Sequence, residues 1–250
     1  MSTIRSVALA LFRPAKGVDG AASALKWLWV PLALVLLGSV AVKTVVSTPL
    51  SIEASQQAVR DQMEKDLASM PEEERKAIEE SNKTEQTTVD EVSGSGIVST
   101  SAMVFAVLGA ALAIVYIATF FFVAAKTWAN PVAYTTMLSV ASLSLVPHAI
   151  RNVIQTVYMS SSGVWLQHSG LGAMVAPATP QDPPGAVYAV LAQVDVWVLW
   201  GLAILFFALM SRTVGISRKR AVTGVITFVA ITGILQAIPT LVTGVFLGAM

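Results

Sequence analysis

Four ionisable side chains fall inside stretches apolar enough for lipid: Lys43, His148, Arg151 and Asp195. A charge within a bilayer span is costly and faces a partner charge, a cavity or a transport pathway. These residue types allow three kinds of chemistry. Arg151 and Asp195 can neutralise each other across a helix interface and fix packing and register. Asp195, Arg151 and His148 can relay a proton or an ion. Alternatively, Asp195 sits close enough to the interface for water to reach it. Depth favours the pair. Arg151 stands seven residues before the outer end of one apolar stretch, and Asp195 eight residues past the outer end of the next. At helical rise both lie roughly 10–12 Å below the outer boundary. Sequential spans commonly pack side by side. Lys43, five residues from the outer end of the first stretch, can snorkel to the surface or join them. Pro147, next to His148, predicts a kink and a freed backbone carbonyl nearby.

The elements that position these groups follow from composition. Of 250 residues, 55% are hydrophobic and 12% charged, with a mean hydropathy of +0.70. A soluble domain carries roughly 25% charged residues. The chain reads as an all-α integral membrane protein, a bundle of five transmembrane helices at about 27–48, 97–125, 131–158, 187–211 and 221–250. Asn130-Pro131 predicts a helix start, with an N-cap followed by proline, and Ser217 a cap for the fifth span. Residues 1–26 do not read as a cleavable signal: the apolar piece "VALALF" is too short, Pro14 follows it, and a full-length span comes next. Ile4, Val7, Ala8 and Leu11 share one helical face, so this segment is either an interfacial helix or a frayed tail.

Residues 49–94 form the sizeable polar part, with five basic residues against twelve acidic ones. Ile52, Val59, Met63, Leu67 and Met70 recur at helical spacing. Ser69 to Glu72 reads as a capping box for a second short helix carrying Glu72, Glu73, Glu74, Glu79 and Glu80. An acidic helical hairpin results, either a docking site for a partner or a solvated charged loop. Arg5, Arg13, Lys16 and Lys26 precede the first span, Lys126 follows the second, and Arg212, Arg218, Lys219 and Arg220 follow the fourth. Residues 159–186 have no lysine or arginine. The positive-inside rule puts the N-terminus in the cytoplasm, and the hairpin and the C-terminus outside.

The sequence contains no phosphate-binding loop, nucleophile elbow, zinc-protease motif or dinucleotide fingerprint. It has no cysteine, and His148 and His168 lack a carboxylate at ligand spacing. No enzyme activity, cofactor or metal is expected. The inner basic residues suit anionic headgroups and are too few for nucleic acid. Gly244 and Gly248 allow close helix approach. Trp197 and Trp200 are candidates for a lateral contact.

Three stretches carry a resemblance to a known family. They are "LFRPAKGV" before "KWLWVPLALVLL", "NPVAYTTMLSVASLSLVPHAI", and "VDVWVLWGLAILFFALMSRTVGISRKRAV". The chain resembles the Yip domain family, the Ypt/Rab-interacting type of small five-span membrane proteins, in its bacterial form. The family's phenylalanine–x–proline motif is matched by Phe12 and Pro14. Its aspartate, aromatic, tryptophan and polar–basic turn are matched by Asp195, Trp197, Trp200 and Ser217-Arg218-Lys219. Trp197 stands where phenylalanine is more usual. The resemblance implies no catalysis. It implies membrane shaping, or an accessory role beside a permease and an adaptor in an ATP-driven export complex. The chain lacks the long cytosolic N-terminal region of eukaryotic members, which speaks against a Rab-type GTPase partner.

The leading expectation is a non-enzymatic scaffold or accessory subunit in a bacterial cytoplasmic (inner) membrane, with lipid and a membrane-protein partner around it. A homo-oligomer stays open. The alternatives are a small transporter or channel with a polar outer pocket at His148, Arg151 and Asp195, and a membrane-shaping protein.

Overall fold

A computed structural model describes residues 9, 11–13, 16, 17, 19, 25–69, 96–128, 130–166, 170–175, 188, 191 and 195–247. Within α6, defined below, it describes side chains up to residue 235. The described residues are helical, with no strand among them. We number the helices α1 (Leu25–Ser69), α2 (Gly96–Thr127), α3 (Tyr134–Ser144), α4 (Val146–Ser162), α5 (Val196–Leu209) and α6 (Arg218–Leu247). A 3₁₀ turn covers Gly170–Val175. Three stretches, Trp27–Ala68, Ser99–Thr127 and Tyr134–Ser162, are long and apolar enough to cross a membrane. The apolar α5 is shorter.

The first helix does not stop at Thr48. α1 is one 45-residue helix that includes both Pro31 and Pro49. The expected first arm of the hairpin is therefore a continuation of the first span. It carries the helix about 30 Å past Thr48. Proline inside a helix removes one backbone bond, which hydroxyls can help to offset in a span. Around Pro49, Ser47 and Thr48 donate to the Thr44 carbonyl and Ser51 donates to that of Thr48. The second arm, with Glu72, Glu73, Glu74, Glu79 and Glu80, lies outside the described residues.

The third apolar stretch is broken, as its proline requires. Pro147 occupies the first turn of α4, where a missing N–H costs nothing, and Leu145 joins α3 to α4. The start of this stretch differs from expectation. Asn130 does not cap it. α3 begins at Tyr134, with Ala133 as N-cap and no side-chain capping bond. The Asn130 amide instead donates to the carbonyl of Val214 at 2.9 Å, tying the turn after α2 to the turn after α5. That second turn is tightly built. Ser211, Val214 and Ile216 are buried in it, and Gly215 takes a φ of 72°, which its lack of a Cβ permits. The Thr213 N–H donates to Asp19.

Asp195 also departs from expectation. It does not interrupt a helix but begins one. Its backbone is extended (φ −128°, ψ 143°), and it is the N-cap of α5, which is only 14 residues long. A carboxylate suits that place because it accepts an orphan N–H and meets the positive end of the helix dipole.

The core lies between α1, α2, α3 and α5, around Leu36, Phe121, Met137, Val140, Leu143, Ile204, Leu205 and Leu209. α1 packs along α2, α3 and α4, and α5 packs against α3 and α4. α6 joins the edge through Phe228, which meets Tyr116, Phe120 and Phe121 of α2. Before α1, the Arg13 N–H donates to the Leu9 carbonyl and the Gly17 N–H to that of Arg13, both at helix-type spacing. The described part of this segment touches the bundle. Leu11 packs against the core and Gly17 is buried.

Candidate functional site

α4 is amphipathic in the sense that suits lipid. Val153, Ile154, Val157 and Tyr158 are exposed, while His148, Arg151, Asn152 and Gln155 are half-buried on the opposite face. The latter follow the i, i+3, i+4, i+7 spacing of a single stripe. The polar stripe is turned towards α1 and α5.

Three helices meet on this stripe. Arg151 Nη1 lies 2.9 Å from Asp195 Oδ2, with the two side chains 16% and 8% exposed. The other carboxylate oxygen, Oδ1, accepts the Trp197 N–H at 3.1 Å. Asp195 thus divides its two oxygens between α4 and the first turn of its own helix. One turn of α4 away, His148 lies within electrostatic reach of both partners. Asn152 Nδ2 stands 3.4 Å from Ser39 Oγ, linking α4 to α1. Lys43, one turn beyond Ser39 on α1, lies within reach of the Arg151 charge. The structure therefore gathers Lys43, His148, Arg151 and Asp195 into one cluster. It adds Ser39, Asn152 and Gln155, whose signal in the sequence is the spacing of polar residues along α4.

Two polar atoms of this stripe are buried without a hydrogen-bond partner among the described residues: His148 Nδ1 and Gln155 Oε1. Buried groups of this kind are normally satisfied, so the stripe has spare capacity to bind. A close backbone approach fixes its His148 end. A Cβ placed on Gly201 of α5 would lie 2.5 Å from the Ser144 carbonyl oxygen and 3.7 Å from His148 Cε1. Only glycine lets α5 approach the break between α3 and α4 this closely. The cluster can hold charges in register and bind a charged or polar group; it contains no activated nucleophile.

The lateral-contact candidates are partly engaged within the chain. The Trp200 indole N–H donates to the Leu11 carbonyl at 3.0 Å. Its ring lies 6.1 Å from that of Phe12 and stacks on Trp197 at 5.9 Å. Gly244 falls within α6, while Gly248 lies outside the described residues. Of the basic residues after α5, Arg212, Arg218 and Lys219 are exposed. Arg220 donates to the Trp128 carbonyl.

The aromatic contact and the carboxylate cap involve the same positions, Phe12, Asp195, Trp197 and Trp200, that carry the family resemblance in the sequence. A family model described as the Yip1 domain matches residues 8–238. No curated protein and no solved structure matches the chain. The match covers nearly all of the 250 residues, from before α1 into α6, and the chain belongs to the Yip1 domain family of membrane proteins.

Proposed function

We propose that this chain is a non-enzymatic accessory subunit of a larger complex in a bacterial cytoplasmic membrane, with five spans, a cytoplasmic N-terminus and an extracytoplasmic C-terminus. The observation that carries the reading is the continuity of α1 from Leu25 to Ser69. A helix rooted in the core and extending about 30 Å beyond the lipid holds a contact surface at a fixed distance from the bilayer. The residues at its far end and in the following acidic segment would meet an extracytoplasmic partner. The spans would lie beside a permease or adaptor of an ATP-driven export system. The Arg151–Asp195 pair serves assembly in this reading, since both of its groups are engaged in joining helices.

The test is crosslinking in native membranes, purification of the tagged full chain and mass spectrometry of co-purifying proteins. A stoichiometric permease, ATPase or adaptor is expected, and a chain lacking residues 53–85 should lose it while still folding. Retention of the partner by that deletion would end the docking role.

A second reading, a small transporter, is favoured by the unsatisfied His148 Nδ1 and Gln155 Oε1. In that case Asp195→Asn abolishes flux in proteoliposomes without loss of assembly.

A further inference from the structure

The cluster on α4 has more positive than negative charge. Arg151 is matched by Asp195. Lys43 is half-buried beside that pair and makes no hydrogen bond or ion pair among the described residues. The next carboxylate along α1 is Glu53, about 15 Å farther out. Asp19 is at the opposite end of the bundle, bonded to Thr213. Among the described residues, this half-buried ammonium beside a guanidinium loses hydration and meets repulsion from Arg151. Neutral water would not cancel the surplus. A negative group would.

The surroundings suit such a group. Ser39 and Asn152 bring α1 and α4 to the same level. The chain crosses back once, through α2, between these helices, so α1 and α4 rise in the same direction. One turn above the Ser39–Asn152 contact stand Lys43 on α1 and Gln155 on α4. Gln155 Oε1 is buried there without a partner. Which end of an amide is oxygen is set by its hydrogen bonds. With an anion present, the amide turns and donates through Nε2. Arg151 then offers a planar donor fork, and Lys43 a point charge. Val42 and Val153 are exposed on the two helices, so the site is bordered by lipid-facing apolar surface.

We propose that Lys43 and Arg151, with Gln155, bind a single anionic oxygen group between α1 and α4: the phosphodiester of a lipid headgroup or a small carboxylate or phosphate. The site does not depend on the accessory-subunit reading.

The experiment uses the purified full chain in an uncharged detergent. One arm adds phosphatidylglycerol or phosphatidylcholine and counts retained lipids by native mass spectrometry. The other adds sodium acetate or inorganic phosphate and follows thermal unfolding. Arg218→Gln/Lys219→Gln is the background throughout, which removes two exposed inner cations that would also attract anionic lipid. The expected result is one tightly held phosphatidylglycerol per chain if the source is lipid. A stabilising shift with acetate or phosphate is expected if the source is soluble. In either arm Lys43→Gln weakens binding by about tenfold or more, the loss of one charge-assisted contact, and Lys43→Arg restores it. Lys43→Gln relieves a repulsion, so it folds at least as well as the parent; size-exclusion chromatography checks this, and Gln155→Leu is the second variant. Binding of every probe unchanged by Lys43→Gln, or no binding by the parent chain, overturns the proposal.

Discussion

Trp200 donates its indole N–H to the carbonyl of Leu11, a residue 189 positions earlier in the chain. This contact fastens the N-terminal segment to α5 inside the bundle. Trp200→Phe keeps an aromatic ring but loses the bond, and should cost about 1 kcal/mol, as for a neutral hydrogen bond. Trp200→Ala also loses the packing on Phe12 and Trp197. Hydrogen exchange over residues 9–19 should rise modestly in the first variant and strongly in the second. Equal protection in all three proteins would show that the segment is held elsewhere.

Gly201→Ala should destabilise by about 1–3 kcal/mol, the cost of overpacking. Its Cβ meets the Ser144 backbone carbonyl, which cannot swing aside as a flexible side chain would. Gly109→Ala is the matched control, since nothing lies within 4 Å of a Cβ there. Thermal unfolding in detergent should separate the two variants clearly.

The carboxylate of Asp195 has two jobs, and substitutions separate them. Asparagine still caps a helix, so Asp195→Asn removes only the charge opposite Arg151. A loss of about 3 kcal/mol is expected, at the low end for a broken buried pair because Arg151 is partly exposed. Asp195→Ala also loses the cap and should cost about 1 kcal/mol more. Arg151→Gln added to Asp195→Asn should recover part of the loss, because no unmatched charge remains. Absence of coupling in that double-mutant cycle would mean that the pair contributes nothing to packing.

Asn130→Ala removes the bond to the Val214 carbonyl. The expected cost is about 1 kcal/mol. The readout is faster proteolysis at Arg212 and Arg218, which flank the turn it holds. Unchanged cleavage would show that Asp19 and the burial of Val214 suffice to hold that turn.

The Arg151–Asp195 contact was legible because depth along a helix is arithmetic in residues, and two opposite charges at one depth in sequential spans have few other partners. The role of Asp195 as a cap was less legible. A run of apolar residues continues on its N-terminal side, so hydropathy alone does not show where the backbone leaves the extended conformation. Asn130 misled for a related reason: asparagine before proline is a strong local helix start, yet its amide gains more from a carbonyl 84 residues away than from an adjacent turn. Hydropathy ends the first span at residue 48, whereas α1 continues through Pro49 to Ser69. The Trp200–Leu11 bond and the need for glycine at position 201 depend on contacts between distant segments, and no local pattern encodes them.

The polarity of α4 has a consequence for how the chain enters the membrane. Tyr134–Ser162 is the least apolar of the three long stretches. Released alone into lipid, it would present His148, Arg151, Asn152 and Gln155 to hydrocarbon. Its partners are divided in synthesis: Ser39 is made earlier, and Asp195 later. The stretch therefore partitions less favourably by itself than the two more apolar ones. Packing on Ser39 of the first helix and on Asp195 of α5 offsets that cost, so membrane insertion of this stretch is coupled to assembly with helices that flank it in the chain.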